Sequence, residues 1–124
     1  MSSQKKILLV DDEEEFVTTL AERLEIRGFM AEAATSGKQA LELIENLDFD
    51  VAILDVKMPG MDGVQVMEKI RELHPDVPVI LLTGYGSTDE GLQGVDKGAF
   101  DYLMKPLDIE ELISKIQEAL ASKS

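Results

Sequence analysis

Apolar positions along the chain fall into two alternating patterns. Ile7-Leu8-Leu9-Val10, Val51-Ala52-Ile53-Leu54 and Val77-Pro78-Val79-Ile80-Leu81-Leu82 are short runs without polar alternation. That is how strands covered on both faces read. Two weaker runs, Met30 to Ala34 and Tyr102 to Met104, predict two more strands. Helical spacing lies between the runs. Phe16, Leu20 and Leu24 recur every four residues, and Gly28 closes that segment as a C-terminal cap. Ala40, Leu41, Ile44 and Leu47 follow Ser36, a candidate N-cap. Val64, Met67 and Ile70 predict a third helix ending before His74-Pro75. Leu112, Ile113, Ile116 and Leu120 predict a last one, capped by Asp108. Between Thr88 and Lys97 the pattern is thin: Leu92 and Val95 are the apolar positions, and Gly91 and Gly94 each cost about 1 kcal/mol against Ala in a helix. The expectation there is a loosely held fourth helix. Strands alternating with helices predict an α/β fold, (βα)5 and doubly wound, with right-handed crossovers and an open, mainly parallel five-stranded sheet between two helical layers.

The 124 residues suit one domain, 1–124, with a core from about residue 5 to 120. No internal repeat, low-complexity tract or linker divides them. Hydrophobic residues make up 44% of the chain, which argues against disorder. The absence of cysteine excludes disulfides, thiolate metal sites and cysteine nucleophiles. Twenty-five acidic residues against twelve basic ones leave a formal charge of -13. Direct nucleic-acid binding is therefore not expected, because phosphate contacts need clustered Lys and Arg. Divalent cations and basic partners suit the charge better. No apolar segment approaches the ~20 residues of a membrane span, and no secretory signal pattern opens the chain. The expectation is a soluble, cytoplasmic protein without membrane contact.

In open parallel sheets ligands bind at the carboxyl ends of the strands. The first run here ends in Asp11-Asp12, the third in Asp55, the fourth in Thr83-Gly84, and the fifth is followed by Lys105-Pro106. If the first and third strands are neighbours, three carboxylates converge, and each makes the others harder to ionise. A hard cation with oxygen ligands relieves that repulsion. Mg²⁺ suits the set, since it takes one or two carboxylates and leaves room for a phosphate oxygen. A Lys ammonium and a Thr hydroxyl facing the same volume are what a transferring phosphoryl group needs. The Asp55 carboxylate can then act as nucleophile and form an aspartyl-phosphate.

These motifs, in this order, resemble the receiver domains of two-component response regulators. The resemblance runs from about Lys5 to Leu120. It is carried by Leu9-Val10-Asp11-Asp12-Glu13, Leu54 to Gly63 (Leu-Asp-Val-Lys-Met-Pro-Gly-Met-Asp-Gly), Leu82-Thr83-Gly84, and Gly98 to Pro106 (Gly-Ala-Phe-Asp-Tyr-Leu-Met-Lys-Pro). It implies a flavodoxin-like sheet of strand order 2-1-3-4-5. It implies Asp55 as phosphoacceptor, Asp12 as a direct Mg²⁺ ligand, Asp11 as the carboxylate holding a water of the ion, and the Lys57 backbone carbonyl as a further ligand. It also implies Thr83 as the switch hydroxyl, Tyr102 as the aromatic that follows it inward, and Lys105, before a cis Lys105-Pro106 bond, as partner of the phosphoryl oxygens. The implied role is a phosphorelay switch and not an enzyme. The implied partners are a sensor histidine kinase or a histidine phosphotransfer protein, then a downstream protein or an output domain lost from this chain. A homodimer on phosphorylation is compatible with it. The chain then reads as a stand-alone regulator, a relay shuttle or a receiver cut from a longer protein.

Other residues keep plainer readings. Glu13, Glu14 and Glu15 are expected to be a solvated helix start favoured by the helix dipole. His74, the one histidine, is expected to be structural. Met58 and Met61 sit in the loop after Asp55 and are candidates to gate access. Lys57 and Tyr85 occupy positions that, in the family, influence attack of water on the acyl phosphate. A small phosphatase working through an aspartyl-phosphate would need a second Asp two residues past the nucleophile, where this chain has Lys57. A protein-binding module that has lost phosphorylation would lack one of Asp55, Thr83 and Lys105, and none is missing. A flavin carrier would need a Ser/Thr/Gly-rich phosphate loop where Asp11 to Glu15 stand.

Overall fold

The computed structural model of the chain describes residues 4–84 and 88–122. Five strands alternate with five helices: β1 (Lys6–Val10), α1 (Glu14–Ile26), β2 (Met30–Ala34), α2 (Gly37–Asn46), β3 (Val51–Asp55), α3 (Gly63–Leu73), β4 (Val79–Thr83), α4 (Thr88–Asp96), β5 (Asp101–Met104) and α5 (Ile109–Ala121). All strand pairs are parallel and the order is β2-β1-β3-β4-β5. This is the doubly wound, flavodoxin-like sheet that the strand and helix pattern and the resemblance predict.

The continuous apolar runs are the three central strands. Each has two packed faces and divides its side chains between them. Leu8, Val10, Ala52, Leu54, Val79 and Leu81 point into the core beneath α2 and α3. Ile7, Leu9, Val51, Ile53, Ile80 and Leu82 point into the core beneath α1 and α5. A slip of one residue would exchange the two sets, so the register is tightly specified. β2 lies at an edge and exposes Met30 and Glu32, which is why its run was weaker. Pro78, which cannot donate to a ladder, stands just before β4.

Local signals set the helix ends. Ser36 accepts from the Gln39 N–H at 3.1 Å, and Asp108 accepts from the Glu110 N–H at 2.9 Å. Asp62 and Gln65 form a reciprocal capping box at the start of α3. Gly28 follows α1 at φ +94°, a conformation glycine adopts without strain. His74 Nε2 lies 3.0 Å from the Ile44 carbonyl and ties the end of α3 to α2, so its role is structural.

The fourth helix forms, and its glycines have a cause that periodicity could not show. A Cβ on Gly91 would overlap the Tyr102 ring, and one on Gly94 would overlap Leu81. Leu81 and Tyr102 are register partners across β4 and β5. The two glycines therefore let α4 settle onto that cross-strand pair. Their helix-propensity penalty is the condition of close docking, not a mark of a poorly specified segment. Tyr85, with Gly86 and Ser87, lies outside the described residues.

Candidate functional site

β1 and β3 are neighbours, with Val10 opposite Leu54. Asp11 therefore leaves its strand beside Asp55, at the carboxyl edge of the sheet. The two are 1% and 7% exposed, while Asp12 faces solvent. One oxygen from each of Asp11, Asp12 and Asp55 lies within 4.8 Å of the others. Gly63, at the start of α3, completes the framework. Its N–H donates to the Val56 carbonyl, and any Cβ there would collide with the Asp55 backbone. Glycine is what lets α3 begin so close to the end of β3.

Lys105 reaches this cluster from the loop after β5, and the Lys105-Pro106 bond is cis. Its Nζ lies 2.6 Å from Asp11 Oδ2, 3.1 Å from Glu13 Oε1 and 3.8 Å from Asp55 Oδ2. Burial disfavours the ammonium, but the contacts with Asp11 and Glu13 and the charge of Asp55 outweigh it, so its pKa lies above the ordinary lysine value. Glu13 is largely exposed at the helix start, as expected, and is in addition a partner of the site lysine. Sequence position alone does not show which of three consecutive glutamates faces a loop about ninety residues on.

Asp55 carries the largest perturbation. Burial raises its pKa from 3.8 to about 6, and the charge of Asp11 adds to the rise; Lys105 and the Lys57 backbone N–H pull it back. Asp11 Oδ1 accepts from the Glu13 N–H at 2.9 Å. Asp11 Oδ2 is buried and forms a close ion pair with Lys105 Nζ at 2.6 Å. Three carboxylate oxygens within 4.8 Å of one another, two of them on buried residues, fit a hard divalent cation, which Asp11, Asp12 and Asp55 would hold.

The backbone group that Lys57 brings to Asp55 is its N–H. Its side chain turns away and pairs with Glu90 of α4 at 3.2 Å. That pair joins loop to helix across the chain and left no trace in local sequence. Thr83 is 1% exposed, and its hydroxyl donates to the Leu103 carbonyl of β5 at 3.5 Å. Tyr102 is half-buried, with its ring on Gly91 of α4. Met58 packs into the core beneath α2 and α3, and Met61 packs against it. Met58 also lines an open groove with Val56, Lys57 and Glu90.

The family model of the response regulator receiver domain matches residues 7–117, nearly the whole fold just described. The chain belongs to the response regulator receiver domain family. Among curated relatives of this receiver domain, the regulatory protein AtoC of Escherichia coli K12 is 36% identical over the full chain. The response regulator MprA of Mycobacterium sp. strain KMS is 39% identical over 96% of it. The receiver chain spans 27% and 52% of those two proteins' lengths. Among solved structures, a receiver domain protein from Clostridium thermocellum superposes with a TM-score of 0.90 at 36% identity, covering 96% of both chains. A CheY-like receiver protein from Methanospirillum hungatei JF-1 gives 0.91 at 36%, covering 98% of this chain and 97% of that one. No helix among the described residues of the receiver is long and apolar enough to cross a membrane.

Proposed function

We propose that this receiver takes a phosphoryl group onto Asp55 from a phosphohistidine of a sensor kinase or phosphotransfer protein. The observation that carries the reading is the convergence of a buried Asp55 with Asp11, Asp12 and Lys105 at one edge of the sheet. In the transfer an Asp55 carboxylate oxygen forms the new bond to phosphorus. The phosphorus–nitrogen bond breaks, and its electron pair stays on the imidazole. The phosphoryl group brings added negative charge to the neighbourhood of Asp11 and Asp12. Lys105 answers by turning from Asp11 and Glu13 towards the phosphoryl oxygens, a charge-assisted pairing. Mg²⁺ held by Asp11, Asp12, Asp55 and the Lys57 carbonyl would neutralise charge on the reacting oxygens.

Regulation follows from what moves next. Thr83 exchanges its Leu103 carbonyl for a phosphoryl oxygen. A 3.5 Å hydrogen bond is a weak competitor for that exchange. Tyr102 lies on the neighbouring strand against α4, so its ring reports the change to the surface of α4, β5 and α5. The phosphoryl group shifts that surface by its differential affinity for the two arrangements. A downstream protein or an attached output domain reads it, and the role is signalling, not turnover of a substrate. The test is labelling with acetyl phosphate and Mg²⁺, followed by intact mass. The wild type is expected to gain one phosphoryl group, and Asp55→Asn none. Labelling of Asp55→Asn at the wild-type level places the acceptor elsewhere.

A further inference from the structure

We propose that Phe16 of α1 is a positioning residue for Lys105, holding the ammonium at the mouth of the site while it changes anionic partners. The proposal rests on Asp55 being the phosphoacceptor. Lys105 Nζ lies 4.6 Å from the centroid of the Phe16 ring, within the range of a cation–π contact. The ring itself is anchored: Phe16 is half-buried and packs on the core shared by α1 and α5. Ring and lysine line one groove with Glu13, Pro106 and Leu107.

The need for such a platform comes from the charges around the lysine. Asp11 Oδ2 at 2.6 Å and Glu13 Oε1 at 3.1 Å are nearer to Nζ than Asp55 Oδ2 at 3.8 Å. To serve a phosphoryl group on Asp55, the ammonium has to leave two closer carboxylates. Glu13 is largely exposed, so an ammonium that followed it would be drawn towards solvent. The face of an aromatic ring attracts a cation without being an anion in the exchange. Its pull on Nζ persists whichever carboxylate the lysine pairs with, and it confines the flexible side chain near Asp55. Leucine in its place would keep the apolar packing and lose the ring face. Tyrosine would keep both.

The experiment has a spectroscopic and a kinetic arm. In the wild-type chain the ε-methylene protons of Lys105, assigned with Lys105→Arg, are expected upfield of those of the other lysines through the Phe16 ring current. In Phe16→Leu they are expected to return to the common position. With acetyl phosphate at saturating Mg²⁺, Phe16→Leu is expected to lower the maximal labelling rate constant about two- to tenfold, the range set by a cation–π contact. The Mg²⁺ concentration at half-saturation is expected to stay unchanged, and Phe16→Tyr is expected to label as fast as wild type. An ordinary Lys105 resonance in the wild type overturns the proposal. So does a Leu variant that labels at full rate, or a Tyr variant as slow as the Leu one. Should Phe16→Leu not fold, the wild-type resonance and the Tyr variant still decide the matter. A wild-type chain that takes up no phosphoryl group fails differently: it overturns the Asp55 reading and the proposal together.

Discussion

Replacing Asp55 by Asn should stabilise the metal-free protein at neutral pH while abolishing its labelling. Asp55 is 7% exposed, and burial together with the Asp11 charge raises its pKa from 3.8 to about 6. The folded state therefore holds the Asp55 proton over a pH range in which the unfolded chain has released it. By linkage, this group lowers stability as pH rises through that range. Its penalty is absent below about pH 4 and fully developed above about pH 6. A shift of roughly two units at about 1.4 kcal/mol per unit gives an upper bound of about 3 kcal/mol. Asparagine keeps the shape and can still accept from the Lys57 N–H. The attraction of Lys105 is already contained in the net rise, but the Asn amide N–H groups must be buried beside the Lys105 ammonium, which opposes the gain. The net expectation is that Asp55→Asn is about 1–2 kcal/mol more stable than wild type at pH 7.5 and about equal at pH 4, on the linkage scale of buried carboxylates. Urea unfolding of both proteins in EDTA at the two pH values measures this; acids not coupled to Asp55 titrate in both and cancel in the difference. Mg²⁺ at ten times its dissociation constant should stabilise the wild type by about 1.4 kcal/mol and narrow the gap. An Asn variant less stable than wild type at pH 7.5, or a difference that does not change with pH, refutes the argument from burial and charge.

Lys105→Met removes the cation that compensates the buried Asp11, and should destabilise the metal-free fold by about 3 kcal/mol in urea at neutral pH, since an unpaired buried charge is left behind. Its Asp55 pKa should rise further, visible in a carboxyl ¹³C titration; an unchanged Asp55 titration argues against the coupling. Gly91→Ala should destabilise by about 1–3 kcal/mol, although alanine is the better helix former, because the new methyl overlaps the Tyr102 ring. A variant of equal or greater stability, with unmoved Tyr102 ring resonances, shows that the helix yields without strain.

Much of this architecture was legible in the chain because its signals are local. The unbroken runs Ile7–Val10, Val51–Leu54 and Val79–Leu82 declare strands packed on both faces, and the residues just past them declare a ligand edge. Ser36 and Asp108 cap helices through contacts within three residues, which depend on nothing distant. The acids Asp11, Asp12 and Asp55 were legible as a cluster once parallel neighbours were assumed, since strand ends in a parallel sheet lie on one side. What periodicity could not supply is which side chain faces which across the packed elements. Glu13 on Lys105, Phe16 beneath the same ammonium, Lys57 on Glu90 and the α4 glycines on Leu81 and Tyr102 all join segments that only the closed sheet brings together. The perturbed titration of Asp55 belongs with them, because desolvation and the charge of Asp11 act only after folding has removed the water between them. Residue type and spacing determined where the chemistry could sit; the tertiary structure alone decided the charge state, partners and packing with which it sits there.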